Sequence, residues 1–234
     1  MSKPQPGALD EAALREAMVA ALAELDARGL NRGSSGNLSH RLGEGMLITP
    51  TGMGASETAA ADLVWLGFDG SVRGRLKPSS EWHFHAALYR ARPQLHAVVH
   101  THATHATALA CLRRELPAFH YMVAVAGGDK VRCAPYRLFG TEALSEVVVQ
   151  AMQDRKACLL ATHGAVSAGG TLREAMKVMI ELESLCQTYL AALAVGEPAI
   201  LSAQEMAEVI EKFGAYGQGP LRSGSGEADV LPTS

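Results

Sequence analysis

Apolar residues recur at helical spacing near the start of the chain, at Leu14, Met18, Leu22 and Leu25, and Asp10 stands before them as a good cap. The spacing predicts a helix with one buried face that stops at Gly29. Over residues 37–75 the texture changes to short apolar pieces, 46–48 and 63–68, punctuated by Pro50, Gly52, Gly54 and Gly70, which suits strands and tight turns. A second helix is predicted to start at Ser79 or Ser80, both good caps, and to run to about Arg92 before Pro93. The β-branched pair Val98 and Val99 marks residues 96–100 as a strand, and the alanine-rich stretch 103–112 that follows favours helix. A capped helix over 141–153 precedes a short apolar run, 157–162, that ends at His163-Gly164 and reads as a central strand. Thr171-Leu172-Arg173-Glu174 and Ser202-Ala203-Gln204-Glu205 match the capping box, so two more helices begin there.

Helices and strands thus alternate, with no internal repeat and no linker. The expectation is a single α/β domain over residues 1–216, a central and mostly antiparallel sheet flanked by helices. Residues 217–234, rich in Gly, Ser and Pro with little to bury, read as a flexible tail.

Composition narrows the class. With 48% hydrophobic and 19% charged residues in 234, the chain has the make-up of an ordinary globule able to bury its own core. A formal charge of -3 provides no basic field for a nucleic acid or an anionic membrane surface, so neither is expected as a partner. Cys111, Cys133, Cys158 and Cys186 are scattered singly and read as free thiols of a reducing compartment. The polar first seven residues are unlike a secretory leader, and no run approaches the ~18 apolar residues of a membrane span. The expected location is the cytoplasm.

Chemistry enters with the histidines, six of whose nine fall between His83 and His105. In an extended segment residues two apart share a face, so His100 and His102 can aim both rings at one point. A catalytic metal site commonly takes three protein ligands, and His163, where a buried run meets a glycine, is the best third candidate. His102 and His105 are also three apart and can share a helix face, so spacing alone leaves the set open. Lys77-Pro78-Ser79-Ser80-Glu81 places two hydroxyls and free N–H groups at a helix start, which can cradle a phosphate or simply cap the helix. Gly33-Ser34-Ser35-Gly36-Asn37 and Thr49-Pro50-Thr51-Gly52 offer further small donors. Glu81 beside such a cradle is a base next to a bound anion, or a first-turn carboxylate on the helix dipole.

Several motifs in order carry more than any one alone. Gly29-Leu-Asn-Arg-Gly-Ser-Ser-Gly-Asn-Leu-Ser39, Ile48-Thr-Pro-Thr-Gly52, Ser79-Ser-Glu-Trp82, His100-Thr-His102, His120-Tyr121, Cys133-Ala-Pro-Tyr136 and His163-Gly164 together resemble the class II aldolase/adducin family, from about residue 21 to 217. The resemblance implies one Zn²⁺ per subunit, or another divalent transition metal, on His100, His102 and His163, with Glu81 as acid/base that also touches the resting metal. It places Gly36, Asn37, Thr51, Gly52, Ser79 and Ser80 at the phosphate of a small phosphorylated sugar, and Phe139 and Tyr216 at the aldehyde. Tyr121 would reach into a neighbouring subunit's site in a homotetramer and handle the proton on the aldehyde oxygen.

The implied reaction is reversible cleavage of a ketose 1-phosphate to dihydroxyacetone phosphate and an aldehyde. Breaking a carbon–carbon bond beside a ketone leaves an enediolate, whose charge a divalent cation stabilises with no lysine nucleophile. The 1-phosphates of fuculose, rhamnulose, ribulose, 5-deoxyribulose and 5-methylthioribulose stay open as substrates. Relatives with this fold act as 4-epimerases, dehydratases or decarboxylases, and adducin heads are non-catalytic binding modules. Glu81, where the epimerases carry aspartate, and the Ser-Ser-Glu-Trp and His-Tyr strings point to the aldolase, and the full set of three histidines with Glu81 argues against the binding module. His83, His85 and His105 stay without a role beyond structure.

Overall fold

The computed structural model describes residues 10–215. The expectations for the first residues, for Tyr216 and for a tail over 217–234 fall outside them. In chain order the elements are α1 (Glu11–Ala27), β1 (Asn37–Leu42), β2 (Gly45–Ile48), β3 (Val64–Gly67), β4 (Val72–Arg73), α2 (Trp82–Ala91), β5 (Ala97–Thr101), α3 (Thr104–Cys111), β6 (Cys133–Ala134), α4 (Glu142–Ala151), β7 (Ala157–Leu160), β8 (Gly164–Gly169), α5 (Leu172–Val195) and α6 (Ala203–Ala215). Strand order in the single eight-stranded sheet is β4-β3-β2-β1-β5-β8-β7-β6. Every neighbouring pair is antiparallel except β6 with β7. The α/β architecture is therefore the expected one.

Alternation along the strands divides the core into two layers. Leu38, Leu47, Ala97 and Val99 pack toward α1, α3 and α5 on one face. Met46, Ile48, Val64, Leu66 and Val98 pack toward α2 and α4 on the other. The caps act as the sequence indicates: Asp10 accepts from Ala12 N, Thr141 from Leu144 N and Thr171 from Glu174 N. The Ser202 box closes in both directions, Glu205 N reaching Ser202 Oγ at 3.2 Å and Ser202 N reaching Glu205 Oε2 at 2.7 Å. At Thr171 the returning carboxylate of Glu174 instead takes the N–H of Gly170.

Two expectations change. Helix α2 starts at Trp82, with Glu81 in the capping position, and not at Ser79 or Ser80. Ser79 still caps locally, its Oγ accepting from Glu81 N (3.3 Å) and its carbonyl from Trp82 N (3.1 Å), but residues 80–81 form a turn before the regular helix opens, while Ser79 N donates to Thr49 O (2.9 Å). Helix α5 is long and apolar enough, by length and composition alone, to cross a membrane. In the fold Ala175, Val178, Met179, Leu182, Cys186 and Tyr189 along it are buried, packed against β5, β8 and α3.

Candidate active site

His100 lies at the centre of the sheet on β5, and His102 follows just past the strand end, so period-two alternation sends both rings to the α2 side. His100 is fully buried. Its Nδ1 lies 2.9 Å from Ala165 O on β8 and must carry the proton, because a carbonyl only accepts, which leaves Nε2 bare. His102 Nε2 stands 3.2 Å from that nitrogen.

The third imidazole arrives on the turn between β7 and β8. Thr162, at φ 55°, is a β-branched residue in the left-handed region, and it directs His163 inward. Gly164 after it sits so close to β5 that a Cβ would come 2.4 Å from Thr101 O. One ring nitrogen from each of the three histidines lies within 4.8 Å of the others.

Glu81 completes the cluster from the start of α2 and is 6% exposed. Its Oε2 is 3.2 Å from His100 Nε2, and its Oε1 is 3.2 Å from His163 Nε2. Burial pushes the carboxyl up, but positive charge at the adjoining His100 and His163 rings outweighs it and holds the group well below the usual carboxylate range. Burial first, then His100 and His163, lowers His102 to about 4. Three imidazoles converging on one point, one with its tautomer already set by a backbone carbonyl, and a buried Glu81 Oε1 without a hydrogen bond fit a divalent transition-metal ion.

The cluster opens into a cleft of about 410 Å³. Its wall holds Gly36, Asn37, Thr51, Gly52, Ser79, Ser80 and Phe139 of the residues expected from sequence, together with Glu81, His102 and His163. His100 lies buried behind them. Gly36, at φ 74°, has the Asn31 amide pressed against it, since a Cβ there would meet Asn31 Oδ1 at 2.3 Å. Asn31 Oδ1 in turn accepts the N–H of His102 at 3.3 Å, which joins the glycine loop to the histidine cluster. Tyr121 is not in this cleft. It opens the 3-10 turn Tyr121–Ala126, is 51% exposed, and faces Phe213 of α6 with ring centroids 6.4 Å apart.

Sequence reasoning passed over three features. Arg137 is the one Lys or Arg side chain among the described residues lining the cleft, and a lone arginine in a loop carries no signal. Asn31 was hidden inside a loop motif. His85 is fully buried and lies against Asn37, with its Nε2 2.6 Å from Asn37 Oδ1. Burial, then His100, depresses His85 to about 3, so the ring is neutral. A larger groove of about 880 Å³ runs between α1 and the start of α5, lined by Ala13, Ala17 and Met176 among others, and holds none of the groups above.

Comparison with known proteins gives the family. Residues 16–190 match the Class II Aldolase and Adducin N-terminal domain. The 5-methylthioribulose-1-phosphate/5-deoxyribulose-1-phosphate aldolase of Rhodospirillum rubrum is 49% identical over 205 residues, 88% of this chain and 93% of that protein. The L-fuculose phosphate aldolase of Escherichia coli K12 is 46% identical over 195 residues, 83% of this chain and 91% of its own. A solved structure of an L-fuculose 1-phosphate aldolase superposes with a TM-score of 0.85 at 37% identity, covering 89% of this chain and 99% of that one. The chain belongs to the class II aldolase and adducin family and stands among its aldolases.

Proposed function

We propose that the chain is a zinc-dependent aldolase that reversibly cleaves a ketose 1-phosphate to dihydroxyacetone phosphate and a short aldehyde with an apolar end. The observation that carries this reading is the junction of the His100, His102, His163 and Glu81 cluster with a cleft whose wall is small hydroxyls and glycines. The relatives named for 5-methylthioribulose, 5-deoxyribulose and L-fuculose phosphates support the substrate class. Phe139 and Tyr136 at the cleft, 61% and 50% exposed, suit a methyl or methylthio end.

When bound on the three histidines, the metal supplies Lewis-acid stabilisation of the charge that develops as the carbon–carbon bond breaks. The chain's own residues do the rest. Ser79, Ser80, Thr51 and the backbone around Gly36 and Gly52 hold the phosphate, with Arg137 as countercharge. In the condensation direction Glu81 Oε1 takes a proton from C3 of dihydroxyacetone phosphate, and Tyr121 gives one to the aldehyde oxygen as the bond forms. Cleavage runs the same transfers backwards. Tyr121 lies outside its own chain's cleft, which supports a homotetramer in which it serves a neighbour's site. A cytoplasmic location suits four free cysteines.

The test is a panel of ketose 1-phosphates coupled to detection of dihydroxyacetone phosphate, with metal analysis on the same sample. One zinc per chain and turnover of a 5-deoxy, methylthio or fuculose phosphate are expected. Metal-loaded enzyme that releases no dihydroxyacetone phosphate from any of them refutes the reading in favour of an epimerase, dehydratase or decarboxylase. Stoichiometric metal in a His100→Ala/His102→Ala/His163→Ala triple variant would place the site elsewhere.

A further inference from the structure

Five polar side chains form one unbroken hydrogen-bonded line that runs inward from the cleft wall. Asn37 Nδ2 donates to Glu81 Oε2 (2.9 Å), and Asn37 Oδ1 lies 2.6 Å from His85 Nε2. His85 Nδ1 is 2.7 Å from Ser39 Oγ, which is 2.9 Å from Tyr89 Oη. Tyr89 Oη also stands 3.4 Å from His96 O, a longer contact that competes with Ser39 for its single hydrogen. All five residues are buried, His85 and Ser39 completely.

The line exists because two repeats match. Glu81, His85 and Tyr89 follow one another at four-residue steps on or at the start of α2, a rise of about 6.0 Å each. Asn37 and Ser39 are two apart on β1, a rise of about 6.6 Å. Both point to the α2 side, since they pair across the sheet with His100 and Val98. Strand and helix side chains therefore interleave, one strand group between each pair of helix groups.

Chemistry sets the direction of every bond. An ionised carboxylate only accepts, so the amide nitrogen of Asn37 must face Glu81 and its oxygen must face His85. His85 must then carry its proton on Nε2, which leaves Nδ1 to accept the Ser39 hydroxyl. The Ser39 oxygen is left to accept from Tyr89. Every donor points toward Glu81. An amide cannot pass a proton along such a line without tautomerising, so the line orients and does not conduct.

We propose that His85, backed by Ser39 and Tyr89, is a positioning residue that locks the Asn37 amide so that Glu81 Oε2 is held and Oε1 is left free to move the proton. Oε1 is the oxygen that accepts no hydrogen bond among the described residues. Both ends of the Asn37 amide are thereby occupied, so its contribution to the phosphate would come from the backbone. The inference rests on the reading of Glu81 as the proton-transfer group.

The experiment compares wild type, His85→Phe and His85→Gln on the ketose 1-phosphate that wild type turns over fastest, with zinc content measured throughout. Phe keeps the ring volume and removes both hydrogen bonds, and Gln can donate to Asn37 and accept from Ser39. His85→Phe should lose kcat by on the order of 10- to 100-fold, with KM within about threefold and zinc unchanged, as expected for a displaced reacting group. His85→Gln should recover most of that loss. Unchanged kcat in a folded, metal-loaded His85→Phe overturns the proposal, and so does a loss that Gln fails to recover, which would mark a packing role. ¹⁵N-histidine NMR of the wild-type holoenzyme decides independently, also if His85→Phe does not fold. A neutral ring protonated at Nε2 supports the line, and one protonated at Nδ1 overturns it. Wild type inactive on every ketose 1-phosphate sinks the reading of the site while the tautomer result still judges the line.

Discussion

Replacing Glu81 by Gln isolates proton transfer from everything else the site does. The side chain keeps its size at a 6% exposed position at the head of α2. Asn37 Nδ2 donates at 2.9 Å to the Oε2 position, so the Gln oxygen will settle there and its NH₂ will take the place of Oε1, toward His163 Nε2. A base is thus replaced by a donor at the atom proposed to accept the proton, while Ser79, Ser80 and Thr51 in the cleft wall are untouched. General-base catalysis by a positioned group contributes about 10²- to 10⁴-fold. At 1.36 kcal/mol per tenfold this is a barrier increase of about 3–5 kcal/mol. The assay is exchange of one C3 hydrogen of dihydroxyacetone phosphate with deuterated water, followed by proton NMR with no aldehyde present. Exchange and cleavage should fall together by at least about 100-fold, with binding of dihydroxyacetone phosphate retained. Zinc must be measured in the same variant, since loss of metal would mimic loss of the base. Metal-loaded Glu81→Gln that exchanges at the wild-type rate would refute Glu81 as the base.

Three further outcomes are expected. Because His85 is held to about 3 by burial, the folded ring stays neutral while the unfolded one takes a proton below about pH 6.5. Its stability contribution is therefore complete above that pH and is lost as the pH falls toward 3, at about 1.4 kcal/mol per pH unit; urea midpoints of wild type should fall more steeply than those of His85→Gln between pH 6.5 and 4.5, and parallel curves would contradict this. Leu47→Ala removes a fully buried side chain between β1 and β3, at an expected cost of about 2–5 kcal/mol in urea unfolding, and a loss under about 1 kcal/mol would show that the core collapses around the gap. Mixing Tyr121→Phe with Glu81→Gln chains should regenerate some intact sites, whereas properly mixed oligomers with no recovered activity argue against sharing between subunits.

Much of the scaffold is written in local pattern. Helix caps at Asp10, Thr141 and Ser202 bind where they stand because a capping bond closes within three residues. His100 and His102 share a face because alternation along a strand is a property of the backbone. What shifted was the first regular residue of α2: Ser79 Oγ does take the N–H of Glu81, but the helix opens only at Trp82, and Ser79's own N–H goes to Thr49, thirty residues away.

The chain by itself determined the α/β class, a candidate histidine pair at the end of β5, the carboxylate at a helix start and, through ordered motifs, the family. Those signals are short-range or additive along the sequence. Only the tertiary structure decided that β1 lies beside β5 and under α2, so that Asn37 and Ser39 interleave with Glu81, His85 and Tyr89. Only it showed Tyr121 standing apart from its own chain's cleft, and Arg137 within it. The physical reason is the same in each case. A buried polar group takes its role from the partner that satisfies it, and strand order places that partner where sequence distance gives no indication.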